Sequence, residues 1–218
     1  MNKTALSLLL ALFFAPSLAS AQSFTVNAVF DPSHYEPLDG PQRFQRWLNE
    51  DGASPSMHLH AFALAAIAQS MNDPSQWGRT TGGFVRRVRN EYTGALIANS
   101  VHESLAAAEG TDPRYFPCAC TGLFRRSGHA LEMTLLTYNR NGRKTLDLPQ
   151  LAGQYSGNMI STLWLPPHYS PLVQGVQSAH LQMGLIGVTH LVQEFSPELH
   201  RFFHVRTAPP AAVPNHSN

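Results

Sequence analysis

The residues with the most chemical potential are arginines, histidines and a single pair of cysteines. All but two of the 15 basic residues are arginines, and several stand where helices are predicted to begin. Phe84-Val85-Arg86-Arg87-Val88-Arg89 opens one predicted helix and Leu123-Phe124-Arg125-Arg126 opens another, and both carry Gly-x-x-Arg-Arg, at 83–87 and 122–126. Cations in a first helical turn oppose the helix macrodipole at about 0.3–1 kcal/mol each. An anion at that end reverses the sign, because guanidinium groups and free backbone N–H groups both attract it. Arg86, Arg87, Arg114, Arg125 and Arg126 are therefore the candidate anion-binding residues, for phosphate, carboxylate or an anionic lipid headgroup. The competing reading pairs them with Glu91, Glu103, Asp112 or Glu132, or leaves them in water, where ion pairs contribute little.

Eleven histidines form the second set. His102 precedes Glu103, His129 lies three residues before Glu132, and His190 lies four before Glu194, which places the last two on one helical face. Metal sites inside helical bundles use inward carboxylates with Glu-x-x-His repeated on facing helices. Here the order is reversed and occurs once, and no His-Glu-x-x-His or zinc-type triplet is present. These residues define the alternative reading, a metal-dependent hydrolase built from facing helices. The leading reading assigns no catalytic residue, no metal ligand and no cofactor.

Cys118-Ala119-Cys120 holds the only cysteines. The two could close a local disulfide or stand as an incidental pair; a redox or copper role is the third option. Two thiols do not complete a zinc shell. Nucleophilic and nucleotide chemistry lack their usual motifs, since neither Gly-x-Ser-x-Gly nor a phosphate-binding Gly-x-x-x-x-Gly-Lys occurs.

Charged residues make up 13% of the 218, about half the roughly 25% typical of soluble domains. Lys+Arg 15 against Asp+Glu 14 gives near neutrality, which argues against a general nucleic-acid binder. A hydrophobic share of 43% excludes a disordered polyelectrolyte.

The elements that must position these residues are predominantly helical. Lys3, the apolar run 5–14 interrupted only by Ser7, the Pro16 break and Ala19-Ser20-Ala21 together read as a signal peptide over 1–21. The apolar run is too short to span a bilayer of roughly 30 Å. Cleavage there removes Lys3 and no acid, so the 15 bases fall to 14 against 14 acids. The processed chain is expected in the periplasm or outside the cell, with membrane association open.

Residues 22–55 read as an extended arm, with alternation at 24–30 and one amphipathic turn at 41–49 that could dock through Phe44, Trp47 and Leu48. The helical domain covers 56–206, and 207–218 reads as a disordered tail. Helices are predicted over 57–71, 83–109 with Gly110 as the stop, and 121–138 with Thr121 as cap. Two more follow at 147–165, with Asp147 and Pro149 at the start, and 170–195. The second helix sets Val85, Val88, Tyr92, Ala95 and Leu96 opposite a polar stripe. The last long helix is apolar nearly all round, which suggests a central position. Strand signals are weak, limited to the alternation at 24–30 and a local pairing open to 144–148, so the predicted class is all-α: a compact bundle of about five helices with an extended N-terminal arm.

Small residues recur at four-residue spacing: Gly94 and Ala98, Gly153, Gly157 and Ser161, Gly175 and Ala179. That spacing stacks them on one face and lets backbones approach. Each helical glycine costs about 1 kcal/mol relative to alanine, so close packing must compensate. No segment after residue 21 has 18 consecutive apolar residues, so no transmembrane helix is expected there.

Asp112-Pro113-Arg114-Tyr115-Phe116 followed by residues 122–130 resembles a group of uncharacterised exported bacterial proteins. Trp77-Gly78, Gly83-Phe84 and Trp164-Leu165-Pro166 look similar too, and the resemblance spans roughly 77–195. It implies no activity and no ligand. Cys118 and Cys120 depart from that group's pattern, which counts against a central role for them in a shared function. The functional expectation is a non-catalytic cell-envelope domain acting through an anionic lipid or an envelope protein.

Overall fold

The computed structural model describes residues 30–31, 35–52 and 54–202. The signal peptide expected at 1–21, most of the alternating stretch 24–30 and the tail expected at 207–218 lie outside the described residues. What is described is all-α apart from one small hairpin.

Helix α1, Gly40–Arg46, starts in a full capping box, with Asp39 accepting from the Gln42 amide and Gln42 bonding back to the Asp39 amide. It continues into a wide π-turn, Trp47–Gly52. Helix α2, Pro55–Met71, has Ser54 as N-cap and proline in its first turn; Asn72 ends it in the left-handed conformation at φ 56°. Helix α3, Thr81–Glu109, is capped by Thr80 and closed by Gly110 at φ 75°.

Helix α3 meets α5, Leu148–Ser161, in the closest helix pair of the molecule. A Cβ on Gly157 would lie 2.6 Å from the Gly94 carbonyl and 2.7 Å from the Ala98 Cβ. One on Gly153 would lie 2.5 Å from the Ala98 carbonyl. The small-residue spacing is thus the seam of the bundle, and the helices run antiparallel across it. Along α3 the buried line is Arg87, Gly94, Ala98, His102 and Ala106, whereas Val85 is exposed, so the predicted apolar face is corrected by the seam.

Helix α6, Val176–Glu194, follows a wide turn at Pro171–Gly175 whose Gly175 abuts the Met159 backbone. It flanks the central pair; Leu181 and Val188 face outward, because no further layer covers them. The predicted central position belongs to α3 and α5 instead. Helix α4, Leu123–Glu132, packs on α6, and α7, Ser196–Phe202, closes the described chain.

The predicted helix at 121–138 ends at Glu132. Beyond it Leu136–Tyr138 (β1) pairs antiparallel with Lys144–Leu146 (β2), Thr137 opposite Thr145, around a turn with Gly142 at φ 69°. Threonine and tyrosine fit a pleated surface, and Tyr138 stacks on Phe30 at 3.7 Å between ring centroids. Tyr115, Phe116, Ala130 and Met133 complete this small aromatic core. Thr121 is not the cap of α4: Gly122 is, at φ 93° and without a side-chain cap bond.

The arm docks differently from the sequence expectation. Phe44 and Leu48 are exposed, and contact comes from Arg43, Arg46 and Trp47.

Candidate functional site

Glu194, the last residue of α6, is a fully buried carboxylate that ties three separate segments together. It is 1% exposed and accepts from the Tyr115 hydroxyl at 2.5 Å, the Cys118 amide at 3.0 Å and Arg126 Nε at 3.1 Å. Arg126 also binds the Glu194 carbonyl, reaches Glu198 at 2.5 Å and lies over the Phe195 ring. That pairing holds the Glu198 carboxyl below the usual range. His129 Nδ1 stands 3.6 Å from Glu194, and His190 stacks on Tyr115 at 4.3 Å. Burial pushes His190 down to about 4 and lowers His129, so both rings are neutral near pH 7. Burial and the hydrogen bond to Glu194 raise the Tyr115 phenol, which keeps it a donor.

A cleft beside this cluster is lined by Tyr115, Thr134, Thr137, Asp147, Gln150 and His190 among others. At about 30 Å³ it has room for water rather than for a metabolite.

A second polar cluster anchors the arm to α3. Arg46 binds Glu103 and lies 3.1 Å from Glu50 and 3.4 Å from Asp51, and Asn99 donates to Asp51. Burial pushes Glu103 up to about 7 and Asp51 up to about 6 against the pull of Arg46. His102 Nε2 lies 3.8 Å from Asp147; burial lowers the histidine to about 3 and raises the aspartate to about 6. Arg43 donates to the Thr111 carbonyl at 2.6 Å. None of the arm's arginines was singled out from sequence, because nothing in their spacing marks a residue that will be buried by a distant helix.

The five candidate arginines do not converge. Arg87, 1% exposed, donates to the carbonyls of Asp73, Pro74 and Gly78 and to the Gln69 side chain. It clamps the 72–78 turn, which includes the cis Asp73–Pro74 bond. Arg114 forms a two-point bond with Asp112, and Arg126 serves Glu194 and Glu198. Arg86 and Arg125 are exposed and make no ion pair among the described residues. They sit at opposite ends of the bundle: Arg86 near the start of α3, Arg125 beside the end of α6, whose 19 residues span roughly 28 Å.

Of the histidine and carboxylate set, His129, His190 and Glu194 gather in one cluster. His102 and Glu103 belong to the arm cluster, and Glu132 pairs with Lys144 at the surface, 2.9 Å away. Among the described residues no three His, Cys, Asp or Glu side chains are grouped to hold a metal ion. Cys118 and Cys120 are joined in a disulfide, the local bond that was one of the sequence options.

The end of the bundle holding Arg86 has a feature that no motif announces. The connection from α5 to α6 exposes Leu163 at 70%, Leu172 at 73%, and also Trp164 and Val173. Met71 and Val85 are exposed at the same end, which Trp164 joins through Asn90 and Tyr169 through Asp73. Arg79, Arg86 and Arg89 are exposed there too, and residues 148–193 hold no Asp, Glu, Lys or Arg. Asp73 and Glu91 are the acids nearby; the first accepts from Tyr169, the second from Asn90. Among the described residues no helix is long and apolar enough to cross a membrane.

Comparison of the chain with protein-family models, with curated proteins and with solved structures found no match.

Proposed function

We propose that this chain is an exported domain that docks one end of its helical bundle on an anionic membrane surface. The observation that carries the reading is the bundle end itself: Leu163, Trp164, Leu172 and Val173 exposed beside Arg79, Arg86 and Arg89. Apolar side chains that reach the acyl boundary and cations that meet headgroups are the two components of interfacial binding. Trp164 and Tyr169 add amphipathic rings suited to the headgroup level. A processed chain with 14 bases against 14 acids carries no net negative charge that would repel such a surface.

Vesicle co-sedimentation of the processed chain tests this. Phosphatidylglycerol vesicles should retain it and phosphatidylcholine vesicles should not. Each arginine near an anionic surface contributes about 1 kcal/mol, so Arg86→Ala with Arg89→Ala should weaken binding roughly 25-fold. Leu163→Ser with Leu172→Ser should abolish it, while Arg125→Ala, at the far end, should leave it unchanged. Absence of binding to phosphatidylglycerol, or equal loss with Arg125→Ala, would overturn the proposal.

A further inference from the structure

The Cys118–Cys120 bond closes a ring across one residue, Ala119, with Cα atoms 5.1 Å apart. Stabilisation by a disulfide rises with the length of chain it closes, so a bond this local restrains the unfolded chain least of all. It joins no two elements: both cysteines lie in the connection ahead of α4, and the segment is already held by the Cys118 amide on Glu194. Its position is informative in another way. Both cysteines are half-buried and Ala119 between them is exposed, so the ring lies at the surface.

The Cys120 amide donates to Cys118 Sγ at 3.1 Å. A donor aimed at one sulfur favours negative charge there, which makes that sulfur the better leaving group in exchange. Cys120 stands two residues before Gly122, the start of α4, whose first turn has no side-chain cap. An uncapped helix start favours thiolate. The nearby negative charge of Glu194 is matched by Arg126 and by the Tyr115 hydroxyl.

We infer that Cys118–Cys120 is a surface redox centre that accepts two electrons from dithiol substrates. In the first step a substrate thiolate attacks Cys120 Sγ; the Cys118–Cys120 bond breaks, a mixed disulfide forms and Cys118 leaves as thiolate. In the second step the other substrate thiol, deprotonated to solvent, attacks the mixed disulfide at its own partner sulfur and releases Cys120 as thiolate. The substrate leaves as a disulfide, oxidised by two electrons. The protein holds two reduced cysteines, which take up the protons the substrate gave to solvent. A low-molecular-weight disulfide returns the pair to the oxidised state by the same exchange in reverse. This inference does not depend on membrane docking.

The test uses the processed chain, a synthetic peptide with two free cysteines, and oxidised glutathione as the terminal oxidant. The native protein should open its disulfide in millimolar reduced glutathione, detected by maleimide labelling, with an unchanged far-ultraviolet circular dichroism spectrum. It should speed peptide oxidation about tenfold or more over glutathione disulfide alone. Cys118→Ser should accumulate glutathione on Cys120, visible by mass, and both single serine variants should lose the acceleration. A pair that resists glutathione, opens only when the chain unfolds, or opens without accelerating peptide oxidation would overturn the inference.

Discussion

Arg87 is a cation buried without a carboxylate. Its four hydrogen bonds go to three carbonyl oxygens and an amide oxygen, with the Trp77 ring 6.0 Å away. The fork of an arginine satisfies several acceptors at fixed angles, which an ammonium cannot do. Arg87→Lys should therefore cost stability even with the charge kept, and Arg87→Ala should cost about 3 kcal/mol, since buried acceptors lose charge-assisted partners. Chemical denaturation of both variants beside Arg86→Ala checks this; the exposed neighbour should change stability by less than about 0.5 kcal/mol. At this scale the sequence was least informative. Two adjacent arginines at a helix start look equivalent, and only the turn at 72–78 folding back over α3 separates them. Tyr115 and Arg46 were invisible for the same reason, each acquiring its role from residues some 57–79 positions away.

Among the elements, caps and spacing were the legible parts. Asp147 with Pro149, and Gly110, mark helix ends because each meets a local backbone demand that does not wait for tertiary contacts. The α3–α5 seam was legible because four-residue repeats of small residues have one geometric consequence. Of the hairpin after α4 only the second strand was legible, as a local pairing at 144–148; 133–138 carries apolar residues compatible with either period, and pairing with β2 decides between them. The seam yields a prediction with opposite signs at two glycines. Gly157→Ala places a methyl 2.6 Å from the Gly94 carbonyl, and the resulting overpacking of about 1–3 kcal/mol outweighs the roughly 1 kcal/mol gained in helix propensity. Gly184, on the outer side of α6, meets nothing within 4 Å, so Gly184→Ala should stabilise by up to about 1 kcal/mol. Urea midpoints of the two variants should move apart; a shift in the same direction for both would contradict the seam.

At the scale of the bundle, the buried carboxyls and the buried histidines of the described residues form two sets that oppose each other. Burial raises the carboxyls of Asp51 and Asp147 to about 6, that of Glu103 to about 7, and also that of Glu91. Burial lowers His102 to about 3 and His190 to about 4, and also lowers His60 and His129. A carboxyl with a raised pKa binds its proton more tightly folded than unfolded, so its contribution is present in acid and fades as pH rises through 6 to 7. A histidine with a lowered pKa does the reverse: its contribution is full above about 6.5 and is lost as pH falls toward 4 and 3. Between about pH 4.5 and 6 the two sets pull in opposite directions, and stability should vary little. Below about 4 these raised carboxyls are protonated in both states and add no slope, which leaves acid unfolding to His102 and His190, with a share from the exposed Glu198 that Arg126 holds below its usual range. Buried histidines thus join the paired carboxylates that usually set the acid limit. Urea midpoints measured from pH 3 to 8 should show a plateau, a decline near 7 as Glu103 ionises, and an acid limb. His102→Asn should make that acid limb clearly shallower, because the deepest-titrating of its groups no longer takes up a proton on unfolding. An acid limb of unchanged slope would assign acid unfolding to groups other than these buried rings.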